Sequence, residues 1–62
     1  MSRREFWIKN RYISVDIAEN EGVYYATSPD VPEFILSGQN MRLLIAGILQ
    51  QLNELVDPDG NV

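Results

Sequence analysis

Residues 12–18 alternate between polar and apolar: Ile13, Val15 and Ile17 fall on one face, Tyr12, Ser14 and Asp16 on the other. A period of two predicts a half-buried strand. Glu19-Asn20-Glu21-Gly22 breaks the pattern with a polar run ending in glycine. It reads as a hairpin loop in which Gly22 supplies positive φ. Residues 23–28 form the returning strand, rich in β-formers. Loop length decides which tyrosine faces inward. A four-residue loop pairs Ala18 with Val23 and sets Tyr24 and Ala26 beside Ile17 and Val15. A five-residue loop turns Val23, Tyr25 and Thr27 inward instead, because a slip of one residue exchanges the faces. The four-residue loop is the preferred reading.

The returning strand runs into Ser28-Pro29-Asp30-Val31-Pro32. Proline has no N–H to give a ladder and fixes its own φ, so the strand stops near Ser28. Ser28 and Val31 each precede a proline and are driven to extended backbone. The segment therefore predicts a stiff corner, after which Phe34-Ile35-Leu36-Ser37 makes a short third strand ended by Gly38. The Ser28 hydroxyl sits where hydroxyls cap turns. The Asp30 carboxylate, flanked by prolines, is placed to accept backbone N–H groups and lock the corner.

Asn40 is the N-cap of a predicted helix running to about Val56, closed by Asp57-Pro58-Asp59-Gly60. Met41, Leu44, Ile45, Ile48, Leu52 and Leu55 form its core-facing stripe. Leu43 and Leu49 lie off that stripe, and Gly47 sits inside the helix at a cost of about 1 kcal/mol relative to alanine. Together with Ala46, which joins Gly47 in a small-residue patch, these residues predict a second buried side and hence a homodimer; the alternative is a helix wrapped by its own sheet. Ahead of the first strand, Phe6 and Ile8 alternate with Trp7 and Lys9, but the apolar phase shifts across Lys9-Asn10-Arg11. A bulge or a turn is expected there. Phe6-Trp7-Ile8 is then either an extra edge strand or an arm laid on a neighbour, with Trp7 as a dimer contact.

The expected fold class is α+β: a three-stranded antiparallel β-meander with one covering helix, with or without the extra N-terminal edge strand. Residues 1–11 are the basic arm or edge strand, 12–56 the domain and 57–62 a polar tail. At 62 residues the chain buries only about 60% of its unfolded surface, which favours oligomerisation in the absence of staples.

Composition removes several kinds of chemistry. With no cysteine and no histidine, there are no disulfides, no thiolate ligands and no imidazole base. Lys9 is the single lysine, so no serine has a base to activate it. Asp16, Glu19, Glu21, Asp30 and Glu33 are the acids that would have to converge to hold magnesium, and a solvated surface is the simpler reading. The expectation is a non-enzymatic protein without cofactor, metal or small-molecule substrate. No apolar run is long enough to span a membrane and no signal peptide is present, so cytoplasmic residence is expected. The charge of −4 is divided. Arg3, Arg4, Lys9 and Arg11 against Glu5 give the first eleven residues +3, and Arg42 against eight acids gives the rest −7. An acidic body suits a basic partner and makes direct nucleic-acid binding unfavourable.

Gly22-Val23-Tyr24-Tyr25-Ala26-Thr27-Ser28-Pro29-Asp30-Val31-Pro32, followed by Phe34-Ile35-Leu36-Ser37-Gly38, resembles the HicB-like antitoxin family. It is most similar to a branch of short bacterial members of unknown function. The family pattern places an aromatic residue and an alanine on the second strand, then Pro-Asp-Leu/Val-Pro-Gly, a short strand and a Thr-capped helix. The resemblance implies a three-stranded meander crossed by a helix. It also implies a protein partner, a HicA-like RNA-cleaving toxin neutralised by contact, with Asp30, Val31 and Pro32 shaping the corner; Tyr25, Asp30, Val31 and Glu33 are the expected partner contacts. Glu33 stands where the family has glycine, and Arg42 and Leu43 stand where it has two acids. No helix-turn-helix follows the helix, so DNA binding does not transfer. The alternative is a stand-alone dimeric interaction or scaffold protein that keeps the fold without a toxin.

Overall fold

The computed structural model describes residues 2–56. Four strands, β1 (Ser2–Ile8), β2 (Arg11–Asn20), β3 (Val23–Thr27) and β4 (Ile35–Gly38), precede one helix, α1 (Met41–Leu55). The strands form one sheet in the order β1-β2-β3-β4, with every neighbouring pair antiparallel. The class is α+β, a meander with one helix on one face. The sheet has four strands rather than three, because the N-terminal segment pairs with β2 along its whole length, from Ser2↔Ile17 to Ile8↔Arg11. The tail over 57–62, including the predicted helix stop at Asp57-Pro58-Asp59-Gly60, lies outside the described residues.

Two tight turns set the register. Lys9 and Asn10 take φ of 48° and 68°, and Glu21 and Gly22 take 54° and 79°. Positive φ at both central residues is the signature of the type I′ turn, whose twist matches that of the flanking strands. The first turn explains the phase shift across Lys9-Asn10-Arg11. A two-residue turn pairs even positions with odd ones, so Phe6 meets Ile13 and the apolar faces stay together. The second turn corrects the predicted four-residue loop. Asn20 pairs with Val23, leaving a loop of Glu21 and Gly22 alone. The chain folds this way because Glu21, as well as Gly22, enters the left-handed region. The inward face is still the expected one: Ala26 is buried opposite Ile17, and Tyr25 points outward.

The helix begins as predicted. Asn40 is extended (φ −120°), and its side chain accepts a hydrogen bond from the Leu43 N–H at 3.1 Å. Leu44, Ile48 and Leu52 are buried against the sheet, joined by Ile8, Ile13, Val15 and Ile17 from below. The helix carries no basic residue in its last turn. Lys9 supplies that charge from the β1–β2 turn, its Nζ donating to the Val56 carbonyl at 3.0 Å. A cation at a helix C-terminus is stabilising, and here it also ties the first hairpin to the end of α1.

Gly47 has a reason within the chain. A Cβ placed there would meet Leu36 Cδ2 of β4 at 2.9 Å, so the glycine lets the helix lie close on the sheet. Leu43 and Leu49 are exposed and lie six positions apart, which sets them about 120° apart around the axis. Leu43 lies on the flank of Gly47, towards β4, whereas Leu49 lies beyond Ile45 on the other flank. Ala46, three residues from each, is also exposed and lies between them on the side of the helix away from the sheet.

A left-handed glutamate is strained relative to asparagine, the residue most at home before glycine in this turn. Glu21→Asn is expected to raise stability by about 0.5–1 kcal/mol, read as a higher urea midpoint with an unchanged slope. A lower midpoint would contradict the assigned turn.

Candidate interaction surface

The corner after β3 is built around a missing rung. The β2–β3 register ends at Asp16↔Thr27. Continued two residues further, it would set Ser14 against Pro29, which has no N–H to offer. The neighbours of Pro29 fill the gap with side chains. Ser28 Oγ donates to the Ser14 carbonyl at 2.6 Å, and the Ser14 N–H donates to Asp30 Oδ2 at 2.8 Å. Ser28 Oγ also accepts from the N–H groups of Asp30 (3.2 Å) and Val31 (3.3 Å). Ser28 is the buried polar residue of the core. Each such bond contributes about 1 kcal/mol net, and leaving the buried Val31 N–H without a partner costs about 1–3 kcal/mol.

The rest of the corner is a turn in which the Phe34 N–H donates to the Val31 carbonyl at 2.9 Å. Pro32 occupies the second turn position, which its fixed φ suits. Glu33 has no positive φ, so this turn does not require the glycine of the family pattern. Val31 and Phe34 point inward and are essentially inaccessible. Each stabilises the core by roughly 1.5–3 kcal/mol. Val31 is therefore a core residue and not a partner contact, which corrects that expectation. Its direction is set by the turn between two prolines.

Strand pairing arranges the outer face of the sheet, opposite the helix, in rows. Arg3, Asp16, Thr27 and Ile35 form one row, Glu5 and Ser14 the next, and Trp7 and Tyr12 the one after that. Trp7 and Tyr12 meet edge to face, ring centroids 4.7 Å apart and planes at 67°. They are 59% and 67% exposed, and Ile35 is 69% exposed. Tyr25 stands outward between Ala18 and Ser37. Arg3 holds Asp16 with two bonds, Nε to Oδ1 at 2.7 Å and Nη2 to Oδ2 at 3.1 Å. Hydrogen bonding from Arg3 holds the Asp16 carboxyl below its ordinary value of 3.8, against partial desolvation. The Arg3 guanidinium is pushed up, first by its hydrogen bond to Asp16 and more weakly by the charges of Asp30 and Glu5.

Of the residues that the sequence marks for a partner, Tyr25, Asp30 and Glu33 are exposed and Val31 is not. Tyr25 reaches solvent on the outer face, while Asp30 and Glu33 belong to the corner. Of those marked for a dimer, Trp7 is on the outer face, Leu43 and Leu49 are on the exposed side of the helix, and Gly47 lies against Leu36. The sequence places Tyr12 on the outer face by its alternation but does not single it out. Ile35 carries no such signal within Phe34-Ile35-Leu36. Among the described residues, no group of three or more His, Cys, Asp or Glu side chains is placed to hold a metal ion. No helix among them is long and apolar enough to cross a membrane. A hollow of about 250 Å³, lined by Ser2, Ile17, Ala18, Glu19, Tyr24 and Met41, is smaller than most small-molecule sites.

Comparison with protein-family models, with curated proteins and with solved structures finds no match to the chain.

The Arg3–Asp16 pair makes a pH prediction. Because the folded-state value of Asp16 is lowered, its contribution to stability is present above the unfolded value. That contribution is lost as pH falls through the lower folded value. In Arg3→Gln, the Asp16 carboxyl carbon followed by NMR is expected to titrate at higher pH than in the parent chain. Identical midpoints would show that Arg3 does not hold it.

Proposed function

We propose that this chain is a non-enzymatic, HicB-like protein-binding module of the cytoplasm that neutralises a HicA-like RNA-cleaving toxin by surface contact. The observation that carries the reading is the outer face of the sheet, which no described residue covers. One helix covers one face, and the other presents Trp7, Tyr12, Tyr25 and Ile35 to solvent. Exposed aromatic residues gathered on one surface mark protein contacts, where Tyr and Trp are enriched. The acidic body favours a basic partner, and an RNA-cleaving protein must carry basic surface to hold its substrate. Tyr25 on the outer face, with Asp30 and Glu33 at the corner after β3, are the proposed contacts. The meander with a crossing helix and the Pro29-Asp30-Val31-Pro32 corner agree with the arrangement that the resemblance implies.

A second reading, the stand-alone dimeric scaffold, is favoured by the free edge of the sheet. β4 ends the strand order and has no charge or proline among Ile35, Leu36, Ser37 and Gly38. Such an edge is open to pairing with another chain, and exposed Leu43 lies on the neighbouring helix flank. The β1 edge, by contrast, is guarded by Arg3 and Arg4.

The two readings separate in one set of experiments. Tagged chain purified from native cells is expected to carry a small basic protein. That protein should cleave RNA when isolated and stop when the chain is added back. Recovery of a β4-paired homodimer with no basic partner, established by sedimentation with and without Ile35→Asp, would overturn the toxin-neutralising reading.

A further inference from the structure

We propose that the outer face holds a specific seat for an arginine side chain of a partner protein, made by the Trp7–Tyr12 pair and the carboxylates of Glu5 and Asp30. This rests on the protein-binding reading and names the group that the surface takes.

Charge balance on this face is uneven. Three carboxylates, Glu5, Asp16 and Asp30, gather around it, and among the described strand residues Arg3 is the cation that the register sets on this face, Arg4 and Arg11 falling on the other. Arg3 is committed to Asp16 by two bonds. Lys9 is committed to the helix end at Val56. Glu5 has no ion pair among the described residues. An excess of carboxylate therefore remains around Ser14. Glu5 stands opposite Ser14 on β1, and Asp30 reaches it from the corner. Directly opposed residues on antiparallel strands have Cβ atoms about 5 Å apart.

The aromatic pair stands in the adjoining row. Trp7 follows Glu5 on the same face of β1, and Tyr12 precedes Ser14 on the same face of β2. Residues two apart along a strand are separated by about 7 Å. A planar cation lying on either ring thus has the Glu5 carboxylate within reach of its edge. Guanidinium fits both demands, since it stacks on aromatic faces and donates two parallel bonds to a carboxylate. The face already meets the second of these demands for one guanidinium, that of Arg3, which gives Asp16 two bonds. Phosphate and other anions would meet the excess of carboxylate and are disfavoured. The competing explanation is that the Trp7–Tyr12 pair merely strengthens the first hairpin, as cross-strand aromatic pairs do.

Trp7 is the one tryptophan of the chain, so its fluorescence reports on this seat directly. The probe is an acetylated and amidated Gly-Arg-Gly-Arg-Gly peptide, titrated into the full chain beside its citrulline counterpart, which keeps the shape and loses the charge. The arginine peptide is expected to give a saturable change in Trp7 emission and to shift the Ser14 amide signal. The citrulline peptide should bind about tenfold more weakly. Glu5→Gln, an exposed change that leaves the core untouched, should weaken the arginine peptide about fivefold, while Glu54→Gln on the helix should not. Equal responses to the two peptides, no saturable response, or parent-like binding by Glu5→Gln would each overturn the seat. A basic partner that binds Glu5→Gln as tightly as the parent rejects the seat and leaves the protein-binding reading intact. Arginine-peptide binding in a chain that neutralises no RNA-cleaving protein leaves the seat standing and removes the toxin-neutralising role.

Discussion

The backbone of Ser14 is held by side chains where a strand would otherwise hold it. Pro29 cannot complete the β2–β3 ladder, and Ser28 and Asp30 on either side of it close the two open bonds. The chain can therefore leave the sheet abruptly without leaving a polar backbone group of β2 unmatched. The rest of the fold depends on that exit. Val31 and Phe34 turn into the core, β4 starts on the far side of β3, and Leu36 is brought beneath the helix at Gly47. Buried Ser28 makes three of these bonds at once, so the corner is rigid for reasons beyond its two prolines.

The second constraint is parity. Two-residue turns at Lys9-Asn10 and Glu21-Gly22 keep Phe6, Ile8, Ile13, Val15, Ile17, Tyr24 and Ala26 on one side of the sheet. A single amphipathic helix suffices to cover that side, and it is clasped at its end by Lys9. The same parity sends Trp7, Tyr12, Tyr25 and the Arg3–Asp16 pair to the other side, which nothing in the described chain covers. The functional proposal rests on this division. A domain with one apolar layer and one aromatic, carboxylate-bearing face that no described residue covers is consistent with the proposal that another protein meets it there.

Much of this is legible in the residues. Strict alternation at Ile13, Val15 and Ile17, the Asn40 cap and the helix stripe each express one local preference that packing reinforces. The Asp30 carboxylate locks the corner as its flanking prolines suggest, although it does so by reaching across to β2 rather than within its own turn. Three features are hidden. Glu21 gives no sign that it will adopt a left-handed conformation, so the loop reads as longer than it is. Lys9-Asn10 lacks the glycine that advertises a tight hairpin, so β1 cannot be told from a loose arm. The direction of Val31 depends on a turn between two prolines, where neither the strand nor the helix period applies. At the surface, alternation shows which aromatics face outward but not which carboxylates they meet, because that depends on the register of β1 on β2.

Amide hydrogen exchange at Ser14 tests the central claim most directly. If Asp30 replaces the missing ladder partner, the Ser14 N–H in the parent chain exchanges as slowly as the amides in the β2–β3 ladder. In Asp30→Ala it loses protection selectively, while the β1–β2 ladder amides keep theirs. A Ser14 amide that exchanges freely in the parent, or at the same slow rate in both chains, would contradict the account.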